Sequence, residues 1–219
     1  MLPLAPSHVI FDLDGTLLDT EPLYTQAAQA VVGRFGKTYD WSIKRHTIGG
    51  DPHSGARFVV DTLKLPISPQ QYLEEREGMM RELCKTARPK PGAQGLVENL
   101  SRRGIPLAIG TSSGRELCEI KLAPHAFMGH FRSVVCSDDP GIRGGKPAPD
   151  IFLKAAAELG AEPARCLVFE DTLMGVRAAV AAGMQVIVVP DANLSDVDFS
   201  AATHVLTSLE GLELAALGL

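Results

Sequence analysis

The sequence has few of the features that place a protein in a membrane or on nucleic acid. It contains no uninterrupted run of about 18 apolar residues, the length that a membrane-spanning helix needs. Residues 1–7 combine neither a basic start nor an apolar stretch. The formal net charge of -5 gives no basic surface for nucleic acid. We therefore expect a cytoplasmic protein with no membrane and no nucleic-acid partner.

Cysteines are also few and widely spaced. Cys84, Cys118, Cys136 and Cys166 form no Cys-x-x-Cys pair, which argues against a zinc ribbon, a dithiol redox motif or a disulfide scaffold. We expect them to be buried, reduced thiols. The composition, 45% hydrophobic and 21% charged over 219 residues, suits one large globular domain or a domain with an insertion.

A short apolar run, residues 8–11, leads directly into the carboxylates Asp12 and Asp14 and then into Gly15. Side chains alternate along an extended chain, so the two carboxylates would share one side, and Gly15 would let the chain turn beyond them. Two like charges held so close are tolerable if a divalent cation such as Mg²⁺ lies between them, or if one carboxyl keeps its proton as an acid. An ordinary turn after a strand is the alternative, but the pattern favours a chemical site.

Short apolar runs alternate with helical patterns along most of the chain. The runs typical of buried strands lie at residues 9–11, 107–109, 134–136, 167–169 and 186–189. The helical patterns lie at residues 93–103, 115–122, 150–159 and 175–182. This alternation predicts an α/β fold with a doubly wound parallel sheet, which gathers its ligands at the carboxyl ends of its strands.

The stretch from residue 19 to residue 88 interrupts this alternation. It carries helical patterns and no comparable strand, and a turn-rich sequence, residues 88–92, follows it. We therefore predict a catalytic core formed by residues 1–18 and 89–219. Residues 19–88 would form an inserted α-helical cap domain over the strand ends.

Polar groups follow the other predicted strands as well. Thr111 and Ser112 come directly after the second strand, in a turn whose hydroxyls and backbone N–H groups could hold a phosphate. Lys146 lies in a loop of glycines and prolines after the third strand, and Glu170 and Asp171 end the fourth. These groups would converge with the first two carboxylates on one small volume.

In this order, Asp12-Leu13-Asp14-Gly15-Thr16, Thr111-Ser112, Lys146 and Glu170-Asp171 resemble the four motifs of the haloacid dehalogenase superfamily of phosphotransferases. The resemblance spans nearly the whole chain and points to the branch with a helical cap, which is similar to β-phosphoglucomutase. Residues 145–150 resemble most closely the group that contains pseudouridine-5′-phosphatase and glycerol-3-phosphatase. The resemblance implies a Rossmann-like core with an inserted cap.

The resemblance also implies the roles of the acidic residues. Asp12 would attack phosphorus and form an aspartyl-phosphate. Asp14 would protonate the leaving alkoxide and then deprotonate the attacking water. Mg²⁺ would be bound by Asp12, the backbone carbonyl of Asp14 and Asp171, with Glu170 binding it directly or through a water.

A phosphate site is implied in the same way. Thr111, the backbone N–H of Ser112 and Lys146 would neutralise the phosphoryl oxygens. We therefore expect a Mg²⁺-dependent phosphatase that acts as a monomer on a small phosphorylated metabolite, such as a sugar, nucleoside or polyol phosphate.

Substrate specificity is expected in the cap loop that contains Gly49, Gly50, Asp51 and His53. This loop carries an acid where β-phosphoglucomutases have a basic residue for a second phosphate, and Tyr24 stands where they have a cap histidine. A bisphosphate would bind poorly beside Asp51, so a β-phosphoglucomutase-like phosphotransferase is the second interpretation.

Two further interpretations belong to other classes. Residues 110–114 fit the Gly-x-Ser-x-Gly pattern of serine esterases, and Asp171 and His204 follow in the order of that triad. An esterase, however, leaves Asp12 and Lys146 without a role. A catalytically silent phosphate-binding regulator is disfavoured because the nucleophile, the acid and the metal ligands are all present.

Overall fold

The computed structural model describes residues 4–219, apart from the side chain of Ala216. Its strands are β1 His8–Phe11, β2 Leu107–Gly110, β3 Ser133–Val135, β4 Cys166–Glu170, β5 Gln185–Val188 and β6 His204–Val205. They form one parallel sheet in the order β3-β2-β1-β4-β5-β6. The predicted α/β fold with a doubly wound parallel sheet is confirmed.

Strand β1 lies in the middle of the sheet and is buried on both faces. Val9 is paired with Leu107 of β2 on one side and with Leu167 of β4 on the other. The rings of Phe11 and Phe169 stack with their centres 4.9 Å apart. Because its neighbours fix β1 from both sides, the residues directly after it are held by the rigid centre of the sheet.

Helices cover both faces of the sheet. They are α1 Glu21–Gly33, α2 Trp41–Lys44, α3 Pro52–Leu63, α4 Pro69–Leu83, α5 Ala93–Arg102, α6 Arg115–Leu122, α7 Asp150–Leu159 and α8 Leu173–Ala181. Helices α5 and α6 add buried side chains to the apolar core on one face, and α7 and α8 to the core on the other. In α5 the buried residues Ala93, Leu96, Val97 and Leu100 recur at helical spacing, which explains why this amphipathic helix lies on the sheet.

Residues 21–86, here called the helical segment, connect β1 to α5 and contain α1 to α4. They have an apolar core of their own, in which Val31, Val59 and Tyr72 are almost fully buried. Local signals start its helices: the Asp51 side chain accepts a hydrogen bond from the Ser54 backbone N–H at the start of α3. No helix among residues 4–219 is long and apolar enough to cross a membrane.

Details at the ends of elements differ from the sequence-based predictions. Strand β3 ends at Val135, one residue earlier than predicted, and the Cys136 N–H bonds instead to the Asp139 carboxylate. Helix α8 begins at Leu173 because the Thr172 side chain accepts a hydrogen bond from the Gly175 N–H. The two-residue edge strand β6 was not predicted. All four cysteines are buried and free, as expected.

Candidate active site

The carboxyl ends of β1, β2 and β4 open into a cavity of about 510 Å³. The core side of its lining includes the residues expected to be functional: Asp12, Asp14, Thr111, Ser112, Lys146, Glu170 and Asp171. Residues of the helical segment line the other side. The structure therefore brings together the side chains that the sequence predicted to converge, at the edge of the sheet where parallel strands present their ligands.

Lys146 lies between two carboxylates at the base of this cavity. Its ammonium donates to Asp12 Oδ1 at 2.5 Å and to Glu170 Oε1 at 2.6 Å, and the side chain is almost fully buried. Burial alone would lower the pKa of Lys146, but the charges of Asp12 and Glu170 outweigh it and raise that pKa. Lys146 thus stays positively charged.

Asp12 has the opposite balance. The residue is 6% exposed, and this burial, opposed in part by Lys146, raises the pKa of Asp12 to about 7. The neighbouring charges of Glu170 and Asp14 raise it further. Asp12 is therefore a buried carboxyl group whose ionised form needs more positive charge than Lys146 alone supplies.

Glu170 is fixed by donors on both oxygens. Its Oε1 accepts from Lys146, and its Oε2 accepts from the Asp171 N–H at 2.9 Å and from the N–H and hydroxyl of Thr172, both at 3.0 Å. Glycine at position 175 makes room for it, because a Cβ there would lie 1.7 Å from Oε1. These contacts fix the Glu170 carboxylate against Lys146. Its predicted contact with a metal, directly or through a water, stays a prediction.

Asp171 is the carboxylate with the weakest protein contacts. It is 3% exposed, and among the described residues its oxygens accept one long hydrogen bond, from the Thr16 hydroxyl at 3.4 Å. Burial, together with the charges of Glu170 and Asp12, raises the pKa of Asp171 well above its usual range. A Cβ at Gly15 would lie 2.0 Å from Asp171 Oδ2, so the absence of a side chain there admits this carboxylate.

These residues fit a bound Mg²⁺. Within residues 4–219 no group of three or more His, Cys, Asp or Glu side chains forms a ready-made metal cluster, but Mg²⁺ rarely uses one. It usually keeps several waters and is held by one or two carboxylates together with phosphate oxygens of the substrate. Asp12 and Asp171 supply that number of carboxylates, and a cation beside Asp171 would balance its buried charge.

Asp14 makes a separate set of contacts. Its Oδ1 accepts from the Thr20 hydroxyl at 2.7 Å, and its Oδ2 accepts from the Ser113 hydroxyl at 2.8 Å. The Lys121 ammonium donates to both oxygens, at 2.6 and 2.7 Å. Burial would raise the pKa of Asp14, but Lys121 and the two hydroxyl donors outweigh it and lower that pKa. These contacts favour the ionised form of Asp14, which is the form that accepts a proton.

Lys121 was not predicted as part of the site. It is fully buried, and it shares the inner face of α6 with Cys118, one helical turn away. A lysine at an apolar position of an amphipathic helix was the only signal in the sequence. Such a position does not show which carboxylate the ammonium meets.

The turn after β2 offers donors to an anion. Thr111 is fully buried, and its hydroxyl accepts from the Ser113 N–H at 3.1 Å. The Ser112 hydroxyl is buried without a hydrogen-bond partner among the described residues. These hydroxyls and the start of α6 line the cavity that contains Asp12. The arrangement suits a phosphoryl group, as expected from the sequence.

The predicted specificity loop also reaches the cavity. Gly49, Gly50, Asp51 and His53 all line it. Gly49 has a φ of +71° and lies against Thr172, where an added Cβ would be 2.5 Å from the Thr172 side chain. The loop therefore packs directly on the core next to the carboxylate pair.

Arg76 of α4 adds a cation that the sequence analysis missed. It lines the same cavity, its Nε is buried without a partner among the described residues, and its guanidinium lies 5.8 Å from the centre of the Tyr24 ring. The helical periodicity of α4 is not strong enough to tell which of its several charged residues faces inward.

The contacts of Ser112 argue against the serine-esterase interpretation. A serine nucleophile needs a hydrogen bond to its base, whereas the Ser112 hydroxyl has no partner among the described residues. His204 begins the edge strand β6 and does not belong to the cavity lining. The Gly-x-Ser-x-Gly pattern here is part of the turn that is expected to bind phosphate.

Comparisons with known proteins agree with this geometry. Residues 6–183 match the haloacid dehalogenase-like hydrolase family. A probable pseudouridine-5′-phosphatase of Drosophila melanogaster is 42% identical over 217 residues, which cover 97% of this chain and 94% of that protein. The mitochondrial (DL)-glycerol-3-phosphatase 1 of Arabidopsis thaliana is 40% identical over 209 residues, which cover 93% of this chain and 70% of that protein.

A solved structure has the same fold. CbbY from Rhodobacter sphaeroides, in complex with xylulose-(1,5)bisphosphate, superposes with a TM-score of 0.82 at 26% identity, and 100% of each chain is covered. The resemblance drawn from the four sequence motifs is therefore confirmed. The chain belongs to the haloacid dehalogenase-like hydrolase family and, within it, to the hydrolases of phosphoric monoesters.

Proposed function

We propose that the protein is a Mg²⁺-dependent phosphatase that hydrolyses a small phosphate monoester through an aspartyl-phosphate on Asp12. The main support is the buried group at the end of β1, where the Asp12 carboxylate contacts Lys146 and lies beside the poorly compensated Asp171. The relatives named as phosphatases of pseudouridine phosphate and glycerol phosphate point to the same kind of substrate.

In this proposal Asp12 is the nucleophile. Lys146 donates to Oδ1, whereas Oδ2 accepts no hydrogen bond from the described residues and is the oxygen available for attack. A new bond forms between this oxygen and phosphorus while the bond from phosphorus to the leaving alkoxide breaks. When bound by Asp12, Asp171 and the backbone carbonyl of Asp14, Mg²⁺ supplies positive charge that lets one anion approach another.

Asp14 serves both steps as the proton carrier. In the first step its protonated form gives a proton to the departing alkoxide and leaves Asp14 as the carboxylate. In the second it takes a proton from the water that attacks the aspartyl-phosphate, so that inorganic phosphate leaves and Asp12 is regenerated. Its position two residues after Asp12, at the same edge of the sheet, supports this role.

Three groups would hold the transferred phosphoryl oxygens. Thr111 offers its hydroxyl, Ser112 its backbone N–H and Lys146 its ammonium. Fixed donors of this kind stabilise the charge of the transition state without having to reorganise, which is the main contribution of a protein to phosphoryl transfer. The burial of Thr111 and Lys146 supports it, since fixed charges and dipoles act more strongly away from water.

The helical segment would act as a cap domain. In this division residues 19–88 form the cap, and residues 1–18 and 89–219 form the catalytic core that it covers. Its contact through Gly49 supports this, because the loop lies directly on Thr172 beside the site. The cap would exclude water and choose the leaving group, and the protein would act as a monomer.

One observation favours a second candidate, a β-phosphoglucomutase-like phosphotransferase. Arg76 lines the cavity, and its guanidinium, whose Nε has no partner among the described residues, could hold a second anionic group of a substrate. The exposed Asp51 opposes this by its negative charge. A monophosphate therefore stays the preferred substrate.

A screen of phosphorylated metabolites tests the proposal. Phosphate release should require Mg²⁺, stop with EDTA and return when Mg²⁺ is restored. Asp12→Asn should fold normally and release no phosphate, because the amide has nearly the same shape and cannot attack. Metal-independent turnover, or turnover by Asp12→Asn, would contradict the proposal.

A further inference from the structure

The Lys121 side chain is a charged group in direct contact with Asp14 to which the proposed reaction assigns no role. Its ammonium lies within hydrogen-bond distance of both Asp14 oxygens, of the Ser113 hydroxyl at 2.7 Å and of the Tyr24 hydroxyl at 2.9 Å. The side chain has no exposed surface. A cation buried so completely is costly unless it is well paired, and Asp14 is its only ionic partner among the described residues.

A purely structural role explains this pairing poorly. Position 121 lies on the buried face of α6, beside the other buried residue, Cys118. An apolar residue there is what packing alone would favour. Replacing a buried ion pair by apolar groups is often neutral or stabilising. The ammonium instead engages both oxygens of a carboxylate at the edge of the catalytic cavity. Together with the hydroxyls of Thr20 and Ser113, one on each oxygen, it restricts how that carboxylate can turn.

The partners of Lys121 come from different parts of the chain. Asp14 follows β1, Ser113 precedes α6, and Tyr24 belongs to α1 of the helical segment. The ammonium therefore joins the carboxylate to the core turn and to the helical segment together.

We propose that Lys121 is a positioning residue for the reaction, holding the Asp14 carboxylate in the orientation from which it exchanges a proton with the leaving oxygen and with the attacking water. This inference rests on the proposed function, because it assigns Lys121 a task only if Asp14 carries protons. Lys121 is not part of the cavity lining, so we expect it to contact neither phosphate nor metal.

The test compares two substrates that differ in their need for an acid. Departure of 4-nitrophenolate needs little protonation, whereas the alkoxide of glycerol 3-phosphate must be protonated. In Lys121→Met, kcat/KM for glycerol 3-phosphate should fall about 10- to 100-fold. For 4-nitrophenyl phosphate, kcat/KM should change little. The kcat for this substrate should still fall, because hydrolysis of the aspartyl-phosphate needs Asp14. Lys154→Met, which removes a lysine of α7 outside the cavity, is the matched control.

A second comparison does not depend on the stability of that variant. On each of the two substrates, the double variant Asp14→Asn/Lys121→Met should have the same rate as the single variant Asp14→Asn, because Lys121 acts only through Asp14. The double variant carries no unpaired buried charge and should fold. Equal losses on both substrates in Lys121→Met, or a further tenfold loss in the double variant, would overturn the positioning role. If the wild-type protein hydrolysed neither these two substrates nor any phosphorylated metabolite of the screen with Mg²⁺, the proposed function itself would fail, and this inference with it.

Discussion

The carboxylate of Glu170 occupies the space beside Gly175 so closely that a Cβ on Gly175 would lie 1.7 Å from Glu170 Oε1. The same oxygen accepts the hydrogen bond from Lys146. The glycine in the first turn of α8 therefore decides where Glu170 lies, and Glu170 in turn holds the lysine that contacts Asp12.

Gly175→Ala should accordingly damage the site without touching any catalytic group. The methyl group would push Glu170 away and leave Lys146 with one partner, so kcat should fall by about 100-fold, as for a misplacement of about 1 Å. Gly95→Ala in α5 is the control, because nothing lies within 4 Å of a Cβ there. It should keep full activity and gain about 0.5–1 kcal/mol of stability. Steady-state kinetics and thermal unfolding check both, and full activity of Gly175→Ala would show that Glu170 has no fixed place.

Mg²⁺ binding should be measurable without any turnover. Because a cation would balance the buried charge of Asp171, Mg²⁺ at about 100 times its dissociation constant should stabilise the folded protein by about 2.7 kcal/mol. Asp171→Asn should abolish this shift, and its metal-free form should be at least as stable as the wild type, since a poorly compensated buried acid is removed. Thermal unfolding with and without Mg²⁺ tests this, and an undiminished shift in Asp171→Asn would exclude Asp171 as a ligand.

Asp51 has two roles that matched variants separate. Its side chain starts α3 by accepting from the Ser54 N–H at 2.8 Å, and its charge lies at the cavity. Asp51→Asn keeps a capping side chain and removes the charge, so kcat/KM for fructose 1,6-bisphosphate should rise several-fold relative to 4-nitrophenyl phosphate. Asp51→Ala also loses the cap and should cost about 0.5–2 kcal/mol of stability. An unchanged substrate ratio in both variants would remove Asp51 from substrate selection.

The stability of the protein should depend on pH through His8. Burial, together with the charges of Arg132 and Arg165, lowers the pKa of His8 below its ordinary 6.5. As the pH falls through 6.5, His8 is protonated more readily in the unfolded chain than in the folded one. The stabilisation that neutral His8 allows above pH 6.5 is therefore lost as the pH falls below it. His8→Gln cannot titrate and should lose less stability between pH 7 and pH 5 in urea unfolding. An identical pH dependence of the two proteins would show that His8 does not contribute.

The sheet and the strand-end residues could be predicted because local patterns determine them. Buried parallel strands are apolar runs, and their carboxyl ends meet at one edge, so Asp12, Thr111 and Glu170 had to lie near one another. The two-residue strand β6 escaped prediction because it pairs only at the edge of the sheet and carries no apolar run.

Lys121 and Arg76 could not be found in this way. Each lies on a helix, and its role depends on a contact with a residue far away in the sequence. Lys121, for example, lies 107 residues from Asp14. Local periodicity shows which face of a helix is apolar, but it does not show which distant carboxylate lies opposite a lysine on that face. Tertiary packing alone supplies that information.

The account as a whole depends on a covalent bond between Asp12 and phosphorus. Asp14→Asn should still form this bond with 4-nitrophenyl phosphate, whose leaving group needs no acid, but should hydrolyse it slowly. Mass spectrometry of the acid-quenched protein with Mg²⁺ should then find one added phosphoryl group, on the peptide that contains Asp12, and none in Asp12→Asn. Phosphate release without any adduct, or an adduct on Ser112, would contradict the assignment of Asp12 as the nucleophile.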